Sequence, residues 1–190
     1  MQGESARRVY NARNIAIMGL LVAVTAVMAP FFNIYLNPET RLFSFTYLPG
    51  AVASVLFGPV AGLCVGFAGD FVGWVTTPGN GPYFPGFALS AMLQNLIYAL
   101  LLYRSARNTE RPAKLLLRIL LAQMLVLVCI NLGLNMLWLN IMYGTAAGDM
   151  YSFFRVGLKL AQFPVDIALL FLCTRLSLRY YGQEAPKNLK

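Results

Sequence analysis

Long apolar runs separated by short polar segments dominate this chain of 190 residues. A helix needs about 20 apolar residues to cross the roughly 30 Å hydrocarbon core of a bilayer. Measured against that length, the runs predict an all-α membrane protein with six transmembrane helices in a compact bundle. Pro49 and Gly50 interrupt the second run and make it short. The predicted spans are 14–36, 45–57, 59–77, 86–103, 118–143 and 153–176.

The overall composition agrees with this pattern. Hydrophobic residues make up 58% of the chain and charged residues only 12%, which is far more apolar than a soluble domain. We therefore expect residues 1–190 to form a single integral membrane domain in contact with lipid.

The basic residues indicate the orientation of the chain. Cytoplasmic flanks of transmembrane helices are enriched in Lys and Arg. If the N-terminus lies inside, all of the 15 Lys and Arg residues except Arg41, Arg155 and Lys159 fall on the inner side. Both termini are therefore expected in the cytoplasm. The net charge of +8 is explained by topology, and we expect no nucleic-acid partner.

Several kinds of chemistry are excluded by what the sequence lacks. The chain contains no histidine, so neither an H-E-x-x-H zinc helix nor a histidine base is available. It also contains no G-x-x-x-x-G-K-[ST] phosphate loop. Cys64, Cys129 and Cys173 lie one per span without C-x-x-C spacing, as small packing residues do. We expect no enzyme, no metal and no cofactor.

Two predicted spans carry stripes of small residues on one helical face. These are Ala12, Ala16, Gly19, Ala23 and Ala26 in the first span, and Gly62, Gly66, Gly69 and Gly73 in the third. Small residues spaced in this way let two helices approach closely in a bilayer. Each stripe has two interpretations, packing within this chain or docking of a partner helix.

Polar side chains recur on single faces of the later spans. They are Ser90, Gln94 and Tyr98 on the fourth span, Asn131, Asn135 and Trp138 on the fifth, and Arg155, Lys159, Gln162 and Asp166 on the sixth. Polar groups at membrane depth normally face a bundle interior or a water-filled cavity. The three faces therefore predict a pocket, with Asp70 of the third span at its floor. The alternative is a set of hydrogen bonds that joins the helices.

The predicted outer side combines a cationic mouth with nearly uncharged loops. Arg41, Arg155 and Lys159 suit an anionic ligand, and segments 31–45 and 76–87 have the composition of lids. Aromatic residues there can stack on a flat ring or anchor the loops at the membrane interface. These residues are Phe32, Tyr35, Trp74, Tyr83 and Phe84.

A series of linked motifs runs through the first half of the chain. RLFSF, YLP, LFGPVAG, GDFVG and PGFALSAML follow one another between Arg41 and Leu100. Together they resemble the substrate-binding S components of energy-coupling factor (ECF) vitamin transporters. Segments LNMLWLNIMYG (134–144) and FFRVGLKLAQFPVD (153–166) are similar to the folate-specific branch. The chain departs from an R-x-x-K-N-type pattern, because Leu160 follows Lys159.

This resemblance implies a function and a set of partners. S components are six-helix proteins of bacterial or archaeal cell membranes that capture a vitamin from outside. They associate with a transmembrane scaffold subunit and two cytoplasmic ATPases, and they are thought to topple in the membrane. The stripe of the first span matches the family's docking surface for the scaffold, centred here on Ala16, Gly19 and Ala23.

The same resemblance assigns ligand contacts to the polar and aromatic residues. The pterin ring of folate would bind amide and carboxylate groups and stack on an aromatic side chain, and its glutamate tail would bind cations. The expected residues are Asp70, Gln94, Asn131, Asn135 and Trp138 for the ring, and Arg41, Arg155 and Lys159 for the tail. Two alternatives stay open: another anionic vitamin such as pantothenate, and a membrane scaffold protein that transports nothing.

Overall fold

The computed structural model describes residues 11–31, 33–37, 40–77, 83–103 and 112–181. Helices account for most of these residues. In chain order the elements are α1 (Ala12–Phe31), β1 (Asn33–Asn37), β2 (Thr40–Ser44), α2 (Tyr47–Phe57), α3 (Pro59–Thr76), α4 (Pro85–Leu102), α5 (Pro112–Leu125), a π-helical segment (Val126–Leu134), α6 (Asn135–Tyr143) and α7 (Thr145–Tyr181).

The helices confirm an all-α membrane bundle. Among the described residues, five continuous helical stretches are long and apolar enough to cross a membrane, and the run from α5 through α6 counts as one of them. Helix α2 has only 11 residues, so it is about 16 Å long and covers roughly half of the hydrocarbon core. The sequence correctly predicted this short second helix.

A β-hairpin replaces the predicted end of the first span. That span was predicted to reach residue 36, but α1 ends at Phe31, and β1 pairs antiparallel with β2. Ile34 lies opposite Phe43 in this pairing. Aromatic and β-branched residues such as Ile34 favour strands, and pairing satisfies backbone groups that a loop would leave open. Hydrophobicity alone could not distinguish this strand from the end of a helix.

The fifth span differs from its prediction in two ways. It begins at Pro112 rather than residue 118, and its middle is π-helical from Val126 to Leu134. The Asn131 side-chain amide donates to the Val126 carbonyl, five residues earlier, at 3.5 Å. π-Helical turns are rare and are frequent at functional sites. The sixth span is also longer than predicted, since α7 covers Thr145–Tyr181.

The glycine stripe of α3 packs inside the bundle. A Cβ on Gly66 would lie 3.0 Å from the Ala91 carbonyl oxygen and 2.5 Å from the Asn95 side chain, both on α4. One turn further along α3, Gly69 faces Thr25 of α1 at 3.3 Å. The stripe therefore brings α4 and α1 against α3, and internal packing is the correct one of its two interpretations.

The small-residue stripe of α1 faces the opposite way. Ala12, Ala16, Gly19 and Ala23 are exposed, and Ala26 is half-buried. A Cβ on Gly19 would meet no atom within 4 Å among the described residues. The face of α1 that packs inward instead uses Thr25 and Ala29. The stripe thus points away from the rest of the bundle.

Candidate ligand-binding site

A chain of hydrogen bonds runs along the buried face of α7. The Lys159 ammonium donates to Gln162 Oε1 at 3.1 Å, and Gln162 Nε2 donates to Asp166 Oδ1 at 2.9 Å. The hydroxyl of Tyr47, the first residue of α2, also donates to Asp166 Oδ1 at 2.9 Å. Gln162 is 0% exposed and Asp166 6% exposed. These four residues are here called the α7 relay: three occupy successive turns of α7, and Tyr47 joins them to α2.

A second polar group adjoins the α7 relay at Tyr98 of α4. Gln94 Nε2 donates to the Tyr98 hydroxyl at 3.1 Å, and that hydroxyl donates to Gln123 Oε1 of α5 at 3.3 Å. Tyr98 is completely buried, and its ring lies 6.2 Å from the ring of Tyr47. Polar side chains from α2, α4, α5 and α7 therefore meet in the interior of the bundle.

An aromatic wall lies at the N-terminal end of α4, more than two turns before Tyr98. Trp138 of α6 donates its indole N–H to Ser90 Oγ at 3.1 Å. The Phe84 ring, just before α4, lies 5.7 Å from the Trp138 ring and 5.9 Å from the Phe87 ring. A side chain on Gly86 would collide with both Phe84 and Trp138. The glycine thus lets the two rings approach each other.

Two asparagines lie at the junction of the π-helical segment and α6. Asn135 Nδ2 donates to Asn131 Oδ1 at 3.3 Å, and these residues precede Trp138 on the same helical stretch. Asn135 Oδ1 is buried and accepts no hydrogen bond from the described residues. A buried acceptor without a donor costs free energy. A ligand N–H could satisfy it.

The charge of Asp70 acts on Tyr83, which belongs to a cluster of aromatic residues. The Tyr83 ring lies 5.3 Å from Trp74 and 5.5 Å from Phe71. Burial, and secondly the negative charge of Asp70, raise the pKa of the Tyr83 hydroxyl. The hydroxyl is buried and has no hydrogen-bond partner within the described ranges.

The structure brings most of the predicted site residues to neighbouring positions. Gln94, Trp138 and Lys159 belong to the groups above, as do Asn131, Asn135, Asp70, Trp74, Tyr83 and Phe84. Phe32 and the side chains of Tyr35, Arg41 and Arg155 lie outside the described part of the chain.

Sequence reasoning missed Tyr47 and Gln123 of the polar groups described above. Tyr47 belongs to the YLP motif, and its position at the start of a helix gave no helical spacing to count. Gln123 interrupts the apolar run LLAQMLVLV, and this isolated amide was a usable signal. The R-x-x-K-N-type pattern places an amide directly after the lysine, where this chain has Leu160. In the structure the Lys159 ammonium instead contacts the amide of Gln162.

A family model for the substrate-specific component of ECF transporters matches residues 13–174. The chain belongs to this family. The match covers every residue of the candidate site, although α7 extends beyond it to Tyr181.

Known members of this family are similar to the chain over most of its length. The folate transporter FolT of Clostridium novyi is 29% identical over 154 residues, which cover 81% of this chain and 83% of that protein. FolT of Leuconostoc mesenteroides subsp. mesenteroides is 27% identical over 164 residues, covering 84% and 83%. A crystal structure of FolT bound with folic acid is 32% identical, with a TM-score of 0.73 and coverage of 87% of this chain and 93% of that one.

Membership of the ECF family fixes the broad class of the protein. It is a transporter component rather than an enzyme, and it is a multi-pass protein of the bacterial cell membrane. The buried polar groups and the aromatic wall lie within the part of the chain that the family shares.

Proposed function

We propose that this chain captures folate outside the cell as the substrate-specific subunit of an ECF importer. The observation that carries the proposal is the likeness, at 32% identity and a TM-score of 0.73, to a FolT structure with bound folic acid. The polar and aromatic groups described above suit such a ligand, because a flat heterocycle needs both a stacking surface and buried hydrogen-bond partners.

The pterin ring is assigned to the region between the aromatic wall and the asparagines. Phe84 and Trp138 offer ring faces, and Asn135 Oδ1 and the Tyr83 hydroxyl are buried polar atoms that lack partners within the described ranges. Binding of the pterin N–H and carbonyl groups there would satisfy these atoms and remove their desolvation penalty. Asp70, Gln94 and Asn131 are further candidate partners for the ring.

The glutamate tail is assigned to the cations in the first half of α7. A tail carboxylate can accept a charge-assisted hydrogen bond from the Lys159 ammonium, which carries three N–H donors and also donates to Gln162. Arg41 and Arg155 are proposed as additional tail contacts on their sequence positions alone.

Transport also requires partners that supply ATP hydrolysis. The chain has no phosphate loop, so we assign this role to two ATPase subunits attached to a transmembrane scaffold. The exposed small-residue stripe of α1 is the proposed docking surface, since it points away from the bundle and leaves room for a second helix.

The decisive experiment is isothermal titration of the detergent-purified protein, stripped of any retained ligand, with folate, pantothenate and riboflavin. We expect tight one-to-one binding of folate alone. Tight binding of pantothenate or riboflavin instead would replace the substrate, and failure to bind any of the three would contradict the proposal.

The placement of the tail is tested with two variants and two ligands. Arg155→Ala and Lys159→Met should each lower the affinity for folate by about ten- to a hundredfold, which is the usual contribution of one charge-assisted hydrogen bond. A pterin without the glutamate tail should bind these variants as it binds the wild type. Equal losses for both ligands would contradict the placement.

A further inference from the structure

We propose that Asp166 is a positioning residue that holds the Lys159 ammonium in place for the ligand, acting through the side-chain amide of Gln162. This inference rests on the proposed function, in which Lys159 binds the glutamate tail. It assigns a role in ligand recognition to a carboxylate that is only 6% exposed and that lies two turns of helix away from Lys159.

The chemistry of the α7 relay fixes its direction. An ammonium only donates hydrogen bonds, an ionised carboxylate only accepts them, and an amide has one end of each kind. Gln162 lies between Lys159 and Asp166 and bonds to both, at 3.1 and 2.9 Å. It must therefore turn its NH₂ group to Asp166 and its oxygen to Lys159. Asp166 and Lys159 enforce this orientation together, from opposite ends of the amide, and Asp166 is the end that the ligand does not contact.

Asp166 is itself held from a second helix. The Tyr47 hydroxyl of α2 donates to the same Oδ1 atom that accepts from Gln162, at 2.9 Å in each case. The Lys159 ammonium also attracts the Asp166 carboxylate electrostatically. Long lysine side chains lose considerable rotamer entropy when they are fixed. A preorganised ammonium spares the ligand that loss on binding.

Asp166→Asn removes the directionality while conserving the shape of the side chain. The new amide can donate to Gln162 Oε1, and Gln162 would then present its NH₂ group to the ammonium, donor against donor. We expect folate affinity to fall by about tenfold or more, as for the loss of a charge-assisted hydrogen bond. Binding of a pterin without the tail should stay within about twofold of wild type.

A compensating substitution separates positioning from a purely structural role. In Asp166→Asn/Gln162→Glu, the carboxylate at position 162 accepts both from the new amide at position 166 and from Lys159, so the relay is restored with its direction intact. We expect recovery of most of the folate affinity. The matched control is Asp166→Asn/Gln123→Glu. It adds the same charge where Tyr98 donates, away from Lys159, and should not recover affinity.

Titrations of folate and of the tail-free pterin give distinguishable outcomes. If the wild type does not bind folate, or if Lys159→Met loses nothing, the proposed function or its tail site fails. If the wild type binds folate, Lys159→Met loses affinity for it and Asp166→Asn binds it normally, only the positioning role is overturned. The positioning role is also overturned if Asp166→Asn loses equal affinity for folate and for the tail-free pterin. It is overturned as well if the Asp166→Asn/Gln123→Glu control recovers as much folate affinity as Asp166→Asn/Gln162→Glu.

If Asp166→Asn does not fold, the variant Gln162→Met provides a second test. Gln162→Met keeps the Asp166 carboxylate and removes only the amide that connects it to Lys159. The positioning role predicts the same loss for folate and no loss for the tail-free pterin. Unchanged folate binding by Gln162→Met would overturn the proposal without reference to Asp166.

Discussion

Two buried tyrosine hydroxyls in this protein have opposite surroundings. The Tyr98 hydroxyl accepts from Gln94 and donates to Gln123, whereas the Tyr83 hydroxyl has no hydrogen-bond partner among the described residues. A satisfied buried hydroxyl stabilises the fold, and an unsatisfied one costs free energy until something binds it. The two residues should therefore respond differently to removal of a single oxygen atom.

Tyr98→Phe is expected to lower the free energy of unfolding by about 1–3 kcal/mol, because it leaves the half-buried amide of Gln94 and the buried amide of Gln123 without their partner. Thermal unfolding in detergent measures this loss. The double variant Tyr98→Phe/Gln123→Met is the control, since coupled residues lose less together than the sum of their single losses. If the losses in free energy of unfolding are strictly additive, the hydrogen bond between Tyr98 and Gln123 contributes nothing to stability.

Tyr83→Phe is expected to leave the melting temperature unchanged or slightly higher and to weaken folate binding. The hydroxyl makes no bond within the described ranges, so removing it costs the ligand-free protein nothing, while the complex loses one hydrogen bond of about 0.5–1.5 kcal/mol. Titration with folate measures the loss. A lower melting temperature with full folate affinity would identify the hydroxyl as a structural group.

Sequence reasoning found those site residues whose spacing places them on one helical face. Ser90 and Gln94 are four residues apart on α4, and the structure bonds them to Trp138 and Tyr98. It missed Tyr47, whose partner Asp166 lies 119 residues away. Contacts between distant segments depend on how the helices pack, and periodicity within one helix carries no information about that packing.

The two small-residue stripes show the same limit for whole helices. In sequence the α1 stripe and the α3 stripe have nearly the same spacing. In the structure the α3 glycines contact α1 and α4, and the α1 stripe is exposed. Spacing identified a face suited to close approach, but only the packing of the bundle shows which neighbour approaches it. The β-hairpin and the π-helical segment escaped prediction because apolar length does not report backbone geometry.

The stripes yield a matched pair of glycine substitutions. Gly66→Ala should destabilise the protein by about 1–3 kcal/mol, since the new Cβ lies 3.0 Å from a backbone oxygen of α4 that cannot easily move. Gly19→Ala should be neutral or stabilising by up to about 1 kcal/mol, because alanine favours helix and the space is open. Melting temperatures in detergent test both; similar losses would contradict the packing described.

Assembly of the transporter is predicted to depend on the exposed small-residue stripe of α1. Gly19→Leu should preserve folate binding and abolish co-purification with the scaffold subunit, because a large side chain keeps a partner helix at a distance. Ala161→Leu, at an exposed position of α7, is the control and should leave assembly intact. Assembly of the Gly19→Leu variant would place the docking surface elsewhere.

The bundle as a whole is arranged so that the ends of α1 and α3 lie together. Gly69 and Gly73 of α3 face Thr25 and Ala29 of α1 in the same order, so these two helices run parallel. The short helix α2 lies between α1 and α3 in the chain and runs back in the opposite direction. This up-down-up course agrees with the predicted topology. The cytoplasmic location of both termini stays a prediction that reporter fusions at each end can check.

The chain has only two tryptophans, and both lie in the candidate site: Trp74 beside Tyr83 and Trp138 beside Phe84. Nearly all the indole fluorescence of the protein therefore originates where the ligand is proposed to bind. Occupancy becomes readable as an optical signal without any label. Replacing one indole at a time by phenylalanine would assign that signal to one side of the site, so that the effect of the ligand on Trp74 and on Trp138 could be timed separately.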